Sequence, residues 1–84
     1  VLAFAQHALA ESNSNQGFVY CSESEKPLGV ELAFVTSEVE KDHAAAVEAG
    51  ATELAPPKKK PWGQWVSYLR CPDGSLVELC TPIG

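Results

Sequence analysis

Two short apolar segments, each interrupted by a single carboxylate, constrain this chain more than anything else in it: Val30-Glu31-Leu32-Ala33-Phe34-Val35 and Leu76-Val77-Glu78-Leu79-Cys80. Both have the length and residue types of strands. Because side chains alternate along a strand, Glu31 shares a face with Ala33 and Val35, and Glu78 shares one with Leu76 and Cys80. A carboxylate on a face that ought to meet a core must be paired, protonated, bound to a cation or turned toward a wet cavity, since an unpaired buried charge is too costly. Any fold for this chain has to give both glutamates one of these outlets.

Between the two segments the punctuation is regular. Ser37 and Glu40 have the spacing of a capping box, which predicts a helix starting there. Val39, His43, Ala46 and Val47 lie on one helical face, and Gly50 is the expected left-handed stop. Ala51–Ala55 reads as a short strand broken by Pro56-Pro57, Lys58–Gly63 as a loop, and Gln64–Arg70 as a strand. Pro72-Asp73-Gly74 is the turn before the last strand, Ser75–Thr81. The predicted order over residues 29–84 is βαβββ, an α+β module. Ahead of it, Val1–Ala5 is an apolar run of strand length, Gln6–Glu11 a helical turn or two, and Phe18-Val19-Tyr20 a weak strand. Residues 1–28 thus read as an N-terminal strand plus a connector draped over the module.

The chain has 84 residues, enough for one domain. Chains this short bury only about 60 to 65% of their unfolded surface, so self-association would add needed stability. A net charge of -5 argues against nucleic acid or an anionic membrane as the main partner; Lys58-Lys59-Lys60 is the local exception and reads as a solvated loop. No apolar run approaches the ~18 residues of a membrane span, and Val1–Ala5 lacks the basic flank of a signal peptide, so the expected setting is cytoplasmic. Three cysteines without paired Cys/His spacing favour neither a disulfide framework nor a zinc ribbon; they read as reduced thiols, with Cys80 in the core.

The element order, together with Glu38-Val39, Ala49-Gly50-Ala51, Lys60-Pro61-Trp62-Gly63-Gln64 and Pro72-Asp73-Gly74-Ser75-Leu76-Val77-Glu78-Leu79, resembles the vicinal oxygen chelate superfamily of glyoxalases, bleomycin resistance proteins and extradiol dioxygenases. The resemblance covers residues 29–82 and is nearest to the bleomycin-resistance-like members. It implies paired βαβββ modules whose curved mixed sheets enclose a cavity. One module is present here, similar to the C-terminal half of a two-module protein, with residues 1–28 standing where such a protein has the last strand of the preceding module and a linker. A homodimer closing one cavity between two modules follows as the expectation.

The resemblance also assigns roles. Metal-using relatives take one ligand from the first strand, often His, and a Glu from the last; these positions fall on Glu31 and Glu78. A carboxylate in place of imidazole suits a hard cation such as Mg or Mn better than Ni or Zn. The favoured reading needs no cofactor: Glu31 and Glu78 line a wet cavity or meet a cationic partner, Arg70 among the candidates, while Trp62 and Trp65 offer aromatic walls to a planar or cationic guest. His43 reads as a half-buried structural residue. The function expected is small-molecule binding of the bleomycin-resistance type. The alternatives are a divalent-metal-dependent lyase, isomerase or thiol transferase, with Glu78 as the proton-shuttling catalytic carboxylate, or a truncated inactive remnant.

Overall fold

A computed structural model of the chain describes residues 2–83; Val1 and Gly84, the outer ends of the two predicted domains, lie outside the described residues. Two α-helices, α1 (His7–Asn13) and α2 (Val39–Glu48), accompany four strands: β1 (Glu31–Val35), β2 (Thr52–Lys59), β3 (Trp65–Arg70) and β4 (Leu76–Cys80). The strands form one curved, unclosed mixed sheet in the order β1-β4-β3-β2, with β1 parallel to β4 and the other neighbours antiparallel. This is the predicted βαβββ module. Since β1 and β2 occupy opposite edges, α2 must cross the back of the sheet to connect them, and it packs against β2, β3 and β4.

Local chemistry sets the ends of α2. The Ser37–Glu40 capping box is not used: Glu38 is the N-cap residue, with no side-chain cap bond. Thr36, which still pairs with β4 through its amide (N to Cys80 O, 2.8 Å), takes over the role. Its Oγ1 accepts from the Glu38 amide at 3.1 Å and donates to Asp42 Oδ2 at 2.6 Å, joining the strand end to the first helical turn. At the other end the prediction holds. Gly50, at φ 115°, donates to Val47 O while Ala51 donates to Ala46 O, the Schellman pairing that satisfies the last carbonyls.

The second strand differs from expectation. Pro56-Pro57 does not break it; β2 runs through both prolines to Lys59, so Lys58 and Lys59 are strand residues opposite Val66 and Trp65. The reason is position, because β2 is an edge strand whose outer side needs no donors. Register shifts between Glu53 and Ala55 and between Ala55 and Lys58 absorb the mismatch on the inner side.

The buried apolar core is small: Val39, Val66, Leu69, Val77 and Cys80. On the helix side it includes a polar bridge. His43, only 4% exposed, meets Ser67 Oγ through Nδ1 at 2.9 Å and Glu53 Oε1 through Nε2 at 2.8 Å, tying α2 to β3 and β2. His43 is therefore the structural residue expected from its place on the helix.

The N-terminal segment departs from the expected strand. Leu2–Ala5 makes no ladder with the sheet of its own chain, and Phe18-Val19-Tyr20 is not a strand either. Instead His7 stacks on Tyr20 with ring centroids 3.8 Å apart and Phe18 packs beside both, while the Tyr20 hydroxyl donates to Glu11 across the bend. Among the described residues, no helix is long and apolar enough to cross a membrane.

Candidate functional site

The strand register decides which side chains share a face. Across β3–β4, Tyr68 lies opposite Glu78, Val66 opposite Cys80 and Arg70 opposite Leu76; across β1–β4, Glu31 lies opposite Leu76, Ala33 opposite Glu78 and Val35 opposite Cys80. Laterally paired residues point to the same side of a sheet. Glu31, Ala33, Val35, Tyr68 and Glu78 therefore stand together on one face, and Ser67, Leu69 and Val77 on the other, against α2. The helix-bearing face is covered over β2, β3 and β4, where α2 packs, but not at β1, where Phe34 is exposed. The opposite face is open enough to leave Glu31 and Ala33 exposed, Val35 67% exposed, and Tyr68 and Glu78 half-buried.

This gives the two carboxylates their outlet. Glu31 and Glu78 are diagonal neighbours across the β1–β4 ladder, facing away from the helix. Tyr68 completes the group: its hydroxyl donates to Glu78 Oε1 at 3.4 Å. Partial burial pushes the Tyr68 phenol above its ordinary value, and the nearby charges of Glu78 and then Glu31 raise it further, since a phenolate beside carboxylates is disfavoured. The result is a neutral hydroxyl donor beside Glu78, with Glu31 on the strand beyond. Tyr68 escaped the sequence reading, although counting outward from the Pro72-Asp73-Gly74 turn, closed by the Cys71 amide donating to Ser75 O at 2.9 Å, would have placed it opposite Glu78.

Other expected site residues lie elsewhere. Arg70 belongs to the open face by register, but its guanidinium does not pair with either glutamate. It donates to Gly74 O (3.2 Å), Glu25 O (3.0 Å), Cys21 O (2.8 Å), Ser24 O (2.8 Å) and Ser24 Oγ (3.1 Å), holding the connector against the β3–β4 turn. With Nε, one N–H of Nη1 and both of Nη2 spent on carbonyl and hydroxyl oxygens, only one Nη1 N–H is left for a ligand. Trp65 shares its face with Ser67 and Leu69, opposite the glutamates. Trp62 is 66% exposed in the β2–β3 turn, its indole N–H donating to Gln64 Oε1 at 2.8 Å. Lys58, opposite Val66, is the exposed cation of β2 that the register puts on the open face.

For a metal ion the donor set of one chain is insufficient. Glu31 and Glu78 supply two carboxylates, and His43 is committed to Ser67 and Glu53 on the other face. Among the described residues no three His, Cys, Asp or Glu side chains come together in a metal-holding group. Hard divalent cations take six or more oxygens, so these residues do not by themselves fit one. The thiols offer no substitute. Cys80 is buried with its Sγ 3.8 Å from Phe34 O, and burial followed by the charge of Glu78 pushes this thiol up.

No family model matches this chain, and no curated protein does. Solved structures do. The chain is similar to a glyoxalase-related enzyme from Fulvimarina pelagi, at 23% sequence identity and a TM-score of 0.72 over 90% of this chain and 53% of that one. A member of the glyoxalase/bleomycin resistance protein/dioxygenase superfamily from Sphaerobacter thermophilus DSM 20745 matches at 28% identity and a TM-score of 0.56, over 69% of this chain and 47% of that one. A protein of unknown function from Agrobacterium tumefaciens str. C58 matches at 20% identity and a TM-score of 0.61, over 90% and 57%. The chain thus spans about half the length of the solved structures it matches. By its βαβββ order, its β1-β4-β3-β2 sheet and these likenesses, the chain has the fold of the solved structures of the glyoxalase/bleomycin resistance protein/dioxygenase superfamily.

Proposed function

We propose that the open face of this sheet is one half of a small-molecule cavity, completed by a second copy of the chain in a homodimer, and that it sequesters a cationic or planar guest without transforming it. The observation that carries the reading is the grouping of Glu31, Glu78 and the protonated Tyr68 hydroxyl on the face that α2 leaves bare. Two carboxylates offer charge to an ammonium or amidinium, and the phenol adds a directional donor and an aromatic edge. Trp62, in the β2–β3 turn, is the aromatic residue proposed to reach the guest from the rim.

Exposed apolar side chains support the second copy. Val30, just before β1, and Phe34 and Val35 within it are 75%, 51% and 67% exposed, and a sheet edge of this kind is a liability unless something covers it. In this reading residues 1–28 are the remnant of a preceding module's last strand and linker, and the module begins at residue 29. Such a protein would work in the cytoplasm, on a metabolite or drug rather than on nucleic acid.

Calorimetric titration with benzyltrimethylammonium tests the proposal, alongside sedimentation at micromolar concentration. Saturable binding should fall about tenfold in Glu78→Gln, as expected for the loss of one charge-assisted contact worth ~1.4 kcal/mol, and further in the Glu31→Gln/Glu78→Gln pair. Binding that survives both substitutions, or a folded chain that sediments only as a monomer, would overturn it.

A further inference from the structure

A cavity of about 230 Å³ lies at the start of β1, walled by Cys21 and Leu28 of the connector, Val30 just before β1, Leu32 within it, and Gly74, Ser75 and Leu76 where the turn enters β4. It is not a loose gap between the module and a draped tail. Four hydrogen bonds from Arg70, to Cys21 O, Ser24 O, Ser24 Oγ and Glu25 O, fix residues 21–25 in place, and Gly74 lets the connector approach so closely that a Cβ there would sit 2.2 Å from Cys21 O. The connector wall is therefore pre-formed, which lowers the ordering cost that any ligand would otherwise meet.

The lining sets the chemistry. Leu28, Val30, Leu32 and Leu76 are aliphatic, and no charged side chain lines the space, so a charged guest would lose its hydration without compensation. The volume exceeds the ~150 Å³ of an apolar cavity that takes benzene, and is below the ~300 Å³ at which pockets for drug-sized molecules begin. The cavity is also distinct from the carboxylate face. Leu32 pairs with Val77 on the helix-bearing side, and Leu76 is the strand residue the two places share.

We propose that this cavity binds a small neutral apolar molecule, a one- or two-ring arene or a short alkyl chain. The test is a titration of the ¹⁵N-labelled chain with toluene and indole, followed by NMR, with benzylammonium as the charged counterpart. Toluene and indole should shift the amides of Leu28, Val30, Leu32 and Leu76 saturably while leaving Tyr68 and Glu78 in place; benzylammonium should not shift the cavity residues. Val30→Glu, at a position 75% exposed and therefore tolerant, puts a charge at the mouth and should weaken toluene binding about tenfold or more. Leu28→Trp fills the space from its connector side and should abolish binding. Absence of saturable shifts in the folded wild-type chain, shifts centred on Tyr68 and Glu78, or undiminished binding in both variants would overturn the proposal. The open-face reading is reported by different residues and a cationic probe, so either can fail without the other.

Discussion

Tyr68 and Glu78 face each other across the β3–β4 ladder, the phenol donating to the carboxylate at 3.4 Å, with Glu31 one diagonal step away. This relationship has a titration signature. Tyr68 should ionise above the ordinary 10.0 for tyrosine, and Glu78→Gln should bring it down toward that value by removing the largest charge acting on it, though not the burial. A phenol whose folded pKa is raised contributes stability that is fully present below the unfolded pKa and is lost as pH rises toward the folded one. Ultraviolet difference titration measures the ionisation; denaturant melts above pH 10.0 should show wild-type stability falling more steeply with pH than that of Tyr68→Phe.

Arg70 acts as a strut, and its removal should release the connector rather than the guest. Arg70→Ala should cost about 1–3 kcal/mol, since it strands carbonyls of Cys21, Ser24 and Glu25 that the guanidinium satisfies together. Arg70→Lys should recover little, because one ammonium cannot reach the same spread of acceptors. Hydrogen exchange should accelerate in residues 21–28 with the strands still protected. Loss of benzyltrimethylammonium binding with connector protection intact would contradict this assignment.

Gly74 and Gly63 make an internal comparison. Both have positive φ, 91° and 96°, so alanine at either costs about 1–2 kcal/mol in backbone conformation. Only Gly74 is also crowded, by the Cys21 carbonyl, whereas nothing lies within 4 Å of a Cβ at Gly63. Gly74→Ala should therefore destabilise the chain clearly more than Gly63→Ala in urea melts, and should loosen the connector.

His43 has unequal partners. Ser67 is fully buried, so His43→Ala orphans its hydroxyl and should cost about 2–4 kcal/mol; Ser67→Ala made in that background should cost much less than in the wild type. The Glu53 side chain is 49% exposed, and a double-mutant cycle with His43 should give no more than about 1 kcal/mol of coupling at neutral pH.

Alkylation should distinguish the thiols by burial. Cys80 is buried and Cys71 half-buried, and desolvation pushes both above the ordinary 9.0, with Glu78 and Asp73 respectively adding to the effect. Iodoacetamide at neutral pH should modify Cys80 only on the timescale of global unfolding. Rapid modification of Cys80 in folded protein would contradict its place in the core.

Strand periodicity and punctuation were sufficient to establish the module. The alternation around Glu31 and Glu78 predicts that each stands out from one face, Gly50 predicts the helix stop, and Pro72-Asp73-Gly74 predicts the turn; these are near-neighbour effects, expressed by a few consecutive residues. Other features depended on partners distant in sequence. Pro56-Pro57 reads as a break until β2 is known to be an edge, and Arg70 reads as a ligand residue until the connector is seen to occupy it, 45 to 49 positions away. Trp65 reads as a wall of the carboxylate site until the register turns it to the helix side. Side-chain alternation and turn stereochemistry are local and so are written in the chain; which strand lies at an edge, and which acceptors a guanidinium finds, follow from long-range pairing that only the folded sheet decides.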